Sequence, residues 1–251
     1  MKALAIEIKG MRKSFRHQRV LDGIDLEIPQ GSVFALLGPN GVGKSTLINI
    51  LSTLITPDSG IARIAGFDLE TEKNKVKASI SLTGQFAAVD EVLTAEENLL
   101  MMCRLSGLSR AESRIRCKEL LVTFDLSPSA RKSVKTFSGG MRRRLDLAIS
   151  LVVERPVLFL DEPTTGLDTR SRRALWDSIV QLKSSGITVF LTTQYLEEAD
   201  RLADSIAVIY DGKIAAVGTA EQLKSRVGGE VIEIRDKHDE VIKKPRGSLS
   251  E

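Results

Sequence analysis

The chain has 251 residues, 42% hydrophobic and 27% charged, with a formal net charge of +3. That is enough to bury one large core, or a core with a small lobe, and the balance is that of a folded domain rather than a disordered or fibrous chain. A weak positive balance, with no base-reading residues and no interleaved stacking aromatics, argues against a nucleic-acid module. No window reaches the roughly 18 apolar residues needed to cross a bilayer. The opening Met-Lys-Ala-Leu-Ala-Ile-Glu-Ile lacks the unbroken apolar run of a signal peptide. If the protein works at a membrane, another subunit does the spanning. Cys103 and Cys117 have no His or Cys beside them to make a metal spacing, and read as free thiols in a reducing compartment.

In chain order, Leu4 to Ile8 and the alternating Ile24-Asp25-Leu26-Glu27-Ile28 read as short strands. Val33 to Leu37 is continuously apolar, as in a strand buried on both faces. A helix should start near Lys44, since Leu47, Ile48, Leu51 and Leu54 follow helical spacing, and Pro57-Asp58-Ser59-Gly60 should end it in a turn. From about Gln85 to Leu151 the pattern is mostly helical. Thr94 to Glu97 and Ser109 to Glu112 fit capping boxes, and a third helix is expected from Arg142 toward Val153. The α/β pattern then resumes: strand Val157 to Leu160, helix Ser171 to Lys183 with Gly186 ending it, and strand Thr188 to Leu191. Strand Ser205 to Ile209 leads through Asp211-Gly212, a hairpin turn, into Lys213 to Val217. Thr219 to Gln222 caps a last helix, and the final 25 or so residues read as a frayed tail, with a possible regulatory or dimerising extension cut short. The basic runs Arg142 to Arg144 and Arg170, Arg172, Arg173 read as solvated helix faces, with a phosphate field or an acidic partner surface as alternatives.

The stretch Gly38-Pro39-Asn40-Gly41-Val42-Gly43-Lys44-Ser45-Thr46 matches G-x-x-x-x-G-K-S completely, between a buried strand and a helix. Its glycines let backbone N–H groups converge on phosphates, and the helix turns its positive end to the same point. Lys44 should reach the β and γ phosphates, Ser45 should ligate Mg²⁺, and Thr46 should assist through its backbone and hydroxyl. The complement is Pro156 to Glu162, an apolar run ending in two acids at a strand tip. Asp161 would hold Mg²⁺ or its water, and Glu162 is placed to act as general base on the attacking water. A carboxylate base beside the metal acid favours hydrolysis over nucleotide sensing.

These motifs, with Gln85, Phe137-Ser138-Gly139-Gly140-Met141 and Gly166-Leu167-Asp168, make the chain resemble the ATP-binding cassette subunits of membrane transporters, across residues 4 to 225. The resemblance implies an α/β P-loop NTPase core of that family's type, with an antiparallel β edge and a helical lobe inserted at about 86–150, in one ATPase domain of residues 1–225 before a tail of 226–251. It implies ATP and Mg²⁺ as ligands, with Gln85 contacting Mg²⁺ and the attacking water while passing motion to a transmembrane partner. Phe15 occupies the place of an adenine-stacking aromatic; a buried hairpin Phe is the plain alternative. The segment Ser138-Gly139-Gly140 is a second helix N-terminus, which in the family covers the γ-phosphate held by another subunit, so a head-to-tail dimer with a second cassette is expected. A serine helix cap is its plain alternative, and for Asp168, which would contact the opposite subunit, an N-cap role is compatible.

One departure stands out. The wider family places a switch histidine where this chain has Gln194, in Leu191-Thr192-Thr193-Gln194-Tyr195. Glutamine can donate and accept hydrogen bonds to a γ-phosphate or water but cannot become a cation near neutral pH. With the Gly-Gly-Met-Arg-Arg-Arg-Leu-Asp-Leu-Ala string, it makes the chain similar to the bacterial daunorubicin/doxorubicin-resistance type of cassette, where glutamine is expected there. The function implied is an ATPase subunit powering export of antibiotics or other hydrophobic small molecules, peripheral on the cytoplasmic face of the membrane and bound to a separate integral-membrane permease. Alternatives are the same ATPase coupled to a lipid, glycan-precursor or heme-like cargo, or a soluble cassette ATPase acting on ribosomes or DNA.

Overall fold

In the computed structural model, which describes residues 3–84 and 89–227, two sheets share the molecule between them. The first is antiparallel. Strands β1 (Leu4–Phe15) and β2 (Gln18–Pro29) form a long hairpin, and β4 (Ser59–Ile64) and β5 (Phe67–Asp68) extend it in the order β2-β1-β4-β5. Both hairpin strands run far beyond the short segments expected from alternation. The reason is a bulge: Gly10 takes a left-handed φ of 59°, the register with β2 shifts between Ile8 and Met11, and the apolar period restarts on the far side.

The second sheet has six strands in the order β10-β9-β3-β8-β7-β6. Strands β6 (Ile80–Thr83), β7 (Val157–Asp161), β8 (Thr188–Thr193), β3 (Val33–Leu37) and β9 (Ser205–Tyr210) are all parallel, and β10 (Lys213–Gly218) closes the edge antiparallel to β9. The Asp211-Gly212 turn joining the last two has φ of 46° and 70°, the two left-handed residues that a tight hairpin turn requires.

Strand β3 shows why its sequence is continuously apolar. Val33, Ala35 and Leu37 join one buried cluster and Phe34 and Leu36 the other, so both faces are covered. On the second face Phe190 lies 5.3 Å from Phe34 and 5.6 Å from Phe159, ring centre to ring centre, tying three adjacent strands together. That face packs on helix α1 (Lys44–Leu51) and the antiparallel sheet. The first face packs on helices α3 (Ala95–Leu105), α4 (Arg110–Thr123) and α5 (Gly139–Ser150), whose Leu99, Cys117, Leu120 and Leu145 are buried with it. Helix α6 (Thr169–Ser184) and α7 (Leu196–Leu202) complete that side; α2 (Lys73–Ser79) and α8 (Ala220–Val227) are peripheral.

Both capping boxes form as the sequence indicates. The Thr94 hydroxyl accepts from the Glu97 N–H while Glu97 accepts from the Thr94 N–H, and Ser109 and Glu112 repeat the arrangement. Two boundaries differ. Helix α1 stops at Leu51 and Leu54 is 64% exposed, because Thr53 turns left-handed at φ 64° and the Leu54 N–H bonds back to the Asn49 carbonyl at 2.8 Å. Helix α5 begins at Gly139, capped by Ser138, three residues ahead of the expected Arg142. Strand β4 begins at Ser59 and Gly60, inside the segment read as a turn, and strands β5 and β6 and helix α2 carried too short a pattern to be anticipated. The tail expected beyond residue 227 lies outside the described residues. Cys103 and Cys117 are buried free thiols, and burial pushes the Cys117 thiol up to about 12, so it is inert.

Candidate functional site

Of the sequence-derived candidates, the phosphate loop, Asp161, Glu162 and Gln194 sit at the carboxyl ends of neighbouring parallel strands, where open α/β sheets bind ligands. Past Leu37 at the end of β3, the loop Gly38 to Gly43 turns directly into α1. Its geometry requires glycine at two kinds of place. A side chain on Gly38 would stand 2.7 Å from the Ile209 carbonyl, so the loop lies tight on β9. Gly41 and Gly43 take φ of 83° and 103°, which L side chains resist. Asn40 is exposed, Pro39, Val42, Ser45 and Thr46 are half-buried, and Val42 packs on the core.

Lys44, the first residue of α1, is 3% exposed. Its ammonium donates to the loop's own Gly38 and Pro39 carbonyls at 2.8 and 2.9 Å and stands 3.1 Å from Glu162 Oε1. A buried cation thus bridges the mouth of the loop to the acid that follows β7. Asp161, the last residue of β7, pairs in register with Thr192 of β8. The Thr192 hydroxyl donates to Asp161 Oδ1 at 2.6 Å and accepts from the Glu162 N–H at 3.0 Å. One side chain therefore orients both acids. Sequence reasoning missed Thr192; the signal was a pair of threonines closing an otherwise apolar strand. Glu162 itself holds a left-handed φ of 47°, a conformation that costs a non-glycine residue about 1–3 kcal/mol and concentrates at functional sites.

Gln194 follows the end of β8 and donates through Nε2 to the Tyr195 hydroxyl at 3.4 Å. Gln85 lies outside the described residues; Gly84, beside it, ends the segment after β6. Phe15 ends β1 and is 45% exposed, with the Lys13 ammonium 5.4 Å from its ring centre, which rules out the alternative of a buried hairpin phenylalanine. Its hairpin abuts the phosphate loop, since a side chain on Gly43 would meet the Val20 carbonyl at 2.8 Å.

The second glycine pair opens α5. The Ser138 hydroxyl accepts from the Met141 N–H at 3.3 Å, the contact of an ordinary cap. Gly140 and Gly139 differ sharply. A side chain at 140 would come within 2.3 Å of the Ser171 hydroxyl on α6, whereas at 139 the nearest atom is 3.7 Å away. Packing within the chain explains the absence of a side chain at 140 and leaves that at 139 unexplained. Asp168 caps α6, accepting from the N–H groups of Arg170 and Ser171, and the Ser171 hydroxyl donates to it at 2.7 Å. The Ser171 bonds hold the Asp168 carboxyl below its ordinary range.

The arginine run is not a solvated face. Arg142 pairs with Glu91 at 2.7 Å, Arg144 bonds the Phe124 carbonyl at 3.0 Å, and Arg143 is buried. Burial pulls the Arg143 guanidinium down from its ordinary value, opposed by Asp146, Asp161 and Glu198.

For a metal, the donor set is sparse. Among the described residues no group of three His, Cys, Asp or Glu side chains could hold an ion unaided. The Asp161 carboxylate and Ser45 hydroxyl are hard oxygen donors of the kind that hold Mg²⁺ together with substrate phosphates. The residues present therefore fit Mg²⁺ arriving with a nucleotide and not a cage of its own. Among the described residues, too, no helix is long and apolar enough to cross a membrane.

Residues 21–165 match the family profile described as ABC transporter. The chain is 53% identical over 231 residues to the daunorubicin/doxorubicin resistance ATP-binding protein DrrA of Streptomyces peucetius, covering 92% of this chain and 70% of that protein. It is 39% identical over 235 residues to the Nod factor export ATP-binding protein I of Paraburkholderia xenovorans, covering 93% and 77%. A solved structure described as the ATP binding subunit of an ABC transporter superposes with a TM-score of 0.77 at 30% identity, covering 90% of this chain and 94% of that one. With a phosphate loop, a buried lysine and two acids at the ends of adjoining parallel strands, the chain belongs to the ABC transporter family as an ATP-binding subunit.

Proposed function

We propose that this subunit binds Mg-ATP at the tips of β3 and β7 and hydrolyses it to drive export of an antibiotic or other hydrophobic small molecule through a separate integral-membrane subunit. The observation that carries the reading is the convergence of Lys44, Asp161 and Glu162, with Lys44 buried and 3.1 Å from Glu162. In this reading the loop N–H groups and Lys44 grip the β and γ phosphates, and Phe15 stacks on the adenine. Ser45, Asp161 and Gln85 would hold Mg²⁺, which would supply positive charge to neutralise the phosphate oxygens. Glu162 takes a proton from water, whose oxygen bonds to the γ-phosphorus as the bond to the β–γ bridging oxygen breaks, giving ADP and phosphate. Gln194 hydrogen-bonds the γ-phosphate or that water.

The open position at Gly139 supports a head-to-tail dimer. Among the described residues nothing stands closer than 3.7 Å to where its side chain would be, as expected if Ser138-Gly139-Gly140 of one copy closes over nucleotide held by another, with Asp168 at the same seam. The domain reading that goes with this is one ATPase unit of residues 1–225 carrying a helical lobe at about 86–150, seated at the cytoplasmic face against its permease. Drug export rests on the likeness to the daunorubicin/doxorubicin resistance protein; the likeness to a Nod factor export subunit supports export of a different cargo, such as a lipid or glycan precursor, only as the second reading.

Glu162→Gln should retain Mg-ATP binding by calorimetry, lose at least 100-fold in turnover as expected for a principal base, and accumulate an ATP-dependent dimer on size-exclusion chromatography. Turnover near that of the parent would remove Glu162 from the role. Resistance assays on cells carrying this gene with its membrane partner test the cargo. Co-purification with ribosomes or DNA, and with no membrane protein, would overturn transport.

A further inference from the structure

Arg143 lies one turn into α5, the helix that Ser138 caps, and is 7% exposed. Its guanidinium spends its donors on backbone carbonyls that belong to the other half of the site. Nε donates to the Pro163 carbonyl at 2.9 Å and Nη2 to the Asp161 carbonyl at 3.2 Å, the two carbonyls that flank Glu162. Nη1 donates to the Gly84 carbonyl at 2.6 Å, beside Gln85, and to Asp146 Oδ2 at 3.3 Å on its own helix. A planar fork with five donors can hold several acceptors at fixed angles, which an ammonium cannot.

What it holds is a strained turn. Glu162 sits at φ 47° with its N–H fixed from the opposite side by Thr192. Left to itself a glutamate would leave that conformation. Grips on the Asp161 and Pro163 carbonyls fix the peptide plane that enters Glu162 and the one that leaves Pro163, whose ring already restricts its own φ, and so bracket the turn that sets the direction of the Glu162 side chain. The same guanidinium moves with α5, whose first turn carries Ser138 and Gly139.

We propose that Arg143 is a positioning residue for Glu162, transmitting the seat of α5 to the aim of the carboxylate across the buried contact with Asp161, Pro163 and Gly84. Engagement of Ser138 and Gly139 by a nucleotide on a second copy would thereby align the base that serves the first copy's own nucleotide. This rests on the reading of Glu162 as general base.

The test uses the full chain with Arg143→Lys, which keeps the charge beside Asp146 but not the fork, and Arg143→Met as a second variant. For Arg143→Lys, kcat should fall about 10- to 100-fold, the scale of a misaimed catalytic group, while the KM for ATP stays within about twofold and calorimetric ATP affinity is retained. In the Glu162→Gln background, adding Arg143→Lys should cause no further loss of residual turnover and should leave the ATP-dependent dimer intact, because the residue acts through the side chain already removed. Arg143→Met should behave alike in its folded fraction, judged by circular dichroism and nucleotide binding. Parental kcat in Arg143→Lys, a loss of ATP affinity matching the loss of kcat, or multiplicative losses in the double variant would each overturn the proposal. Parental turnover in Glu162→Gln alone would instead defeat the general-base reading.

Discussion

Two adjacent glycines at the start of α5 offer a sharp test of how packing and function divide. At Gly140 an added methyl would lie 2.3 Å from the Ser171 hydroxyl and 2.4 Å from its Cβ, with the Ser171 Cα at 3.5 Å. Carbon atoms in contact sit about 3.5–4.0 Å apart, so the overlap exceeds an ångström. Either α5 and α6 separate, or Ser171 turns away and loses its 2.7 Å bond to Asp168. Overpacking of this kind costs about 1–3 kcal/mol, against a gain of up to about 1 kcal/mol for alanine over glycine in a helix. An overlap this large puts the cost at the upper end, so the net loss for Gly140→Ala is about 2 kcal/mol, or roughly 4–8 °C in Tm for a chain of this size. Ser171→Gly in the same chain removes both short contacts but also the bond to Asp168, so it should restore only part of the loss. Gly139→Ala meets nothing nearer than 3.7 Å and should unfold within about 0.5 kcal/mol of the parent. Its ATP turnover and ATP-dependent dimerisation should nonetheless fall steeply. Differential scanning calorimetry and a phosphate-release assay on the three variants settle the matter. An unperturbed Tm for Gly140→Ala, or parental turnover for Gly139→Ala, would refute the reasoning.

Acid titration should expose the two capping boxes. Backbone and hydroxyl bonds from Thr94 hold the Glu97 carboxyl, and those from Ser109 the Glu112 carboxyl, below the ordinary 4.5. The folded chain therefore binds these protons less readily than the unfolded chain. Their stabilisation is complete above about pH 4.5 and is lost as the pH falls through the lower folded-state values. Glu97→Gln keeps the box without the charge, so its loss of helical circular dichroism in acid should be shallower than that of the parent; an identical curve would contradict the assignment. Gln194→His should add an ionisation near pH 6.5 to the pH–rate profile and raise turnover on its acid side. Superimposable profiles would show that a cation at that position has no part in the rate.

The phosphate loop was legible because its chemistry is contiguous: glycines, lysine and hydroxyl fall within one strand–loop–helix unit, and Val33 to Leu37 announces a strand buried on both faces. The capping boxes were legible for the same reason, since both partners lie within four residues. Contacts made across the sheet were not. Thr192 meets Asp161 only because β7 and β8 are neighbours in register, and no local pattern states that order. The arginine run read as solvent-facing because charge clusters usually are, yet α5 packs against α3, α6 and β6, so Arg143 and Arg144 find half-buried carbonyls while Arg142 bonds at the surface. Leu54 kept helical spacing by coincidence, after Thr53 had already reversed the chain.

The ion pair between Lys44 and Glu162 has a consequence for how nucleotide would be received. Each of the two is occupied by the other, and breaking a buried pair from one side costs about 3–5 kcal/mol. A triphosphate that claims the ammonium supplies a replacement anion and sets the carboxylate loose in the same event. On the general-base reading, claiming the lysine and freeing the base are therefore coupled through a single salt bridge.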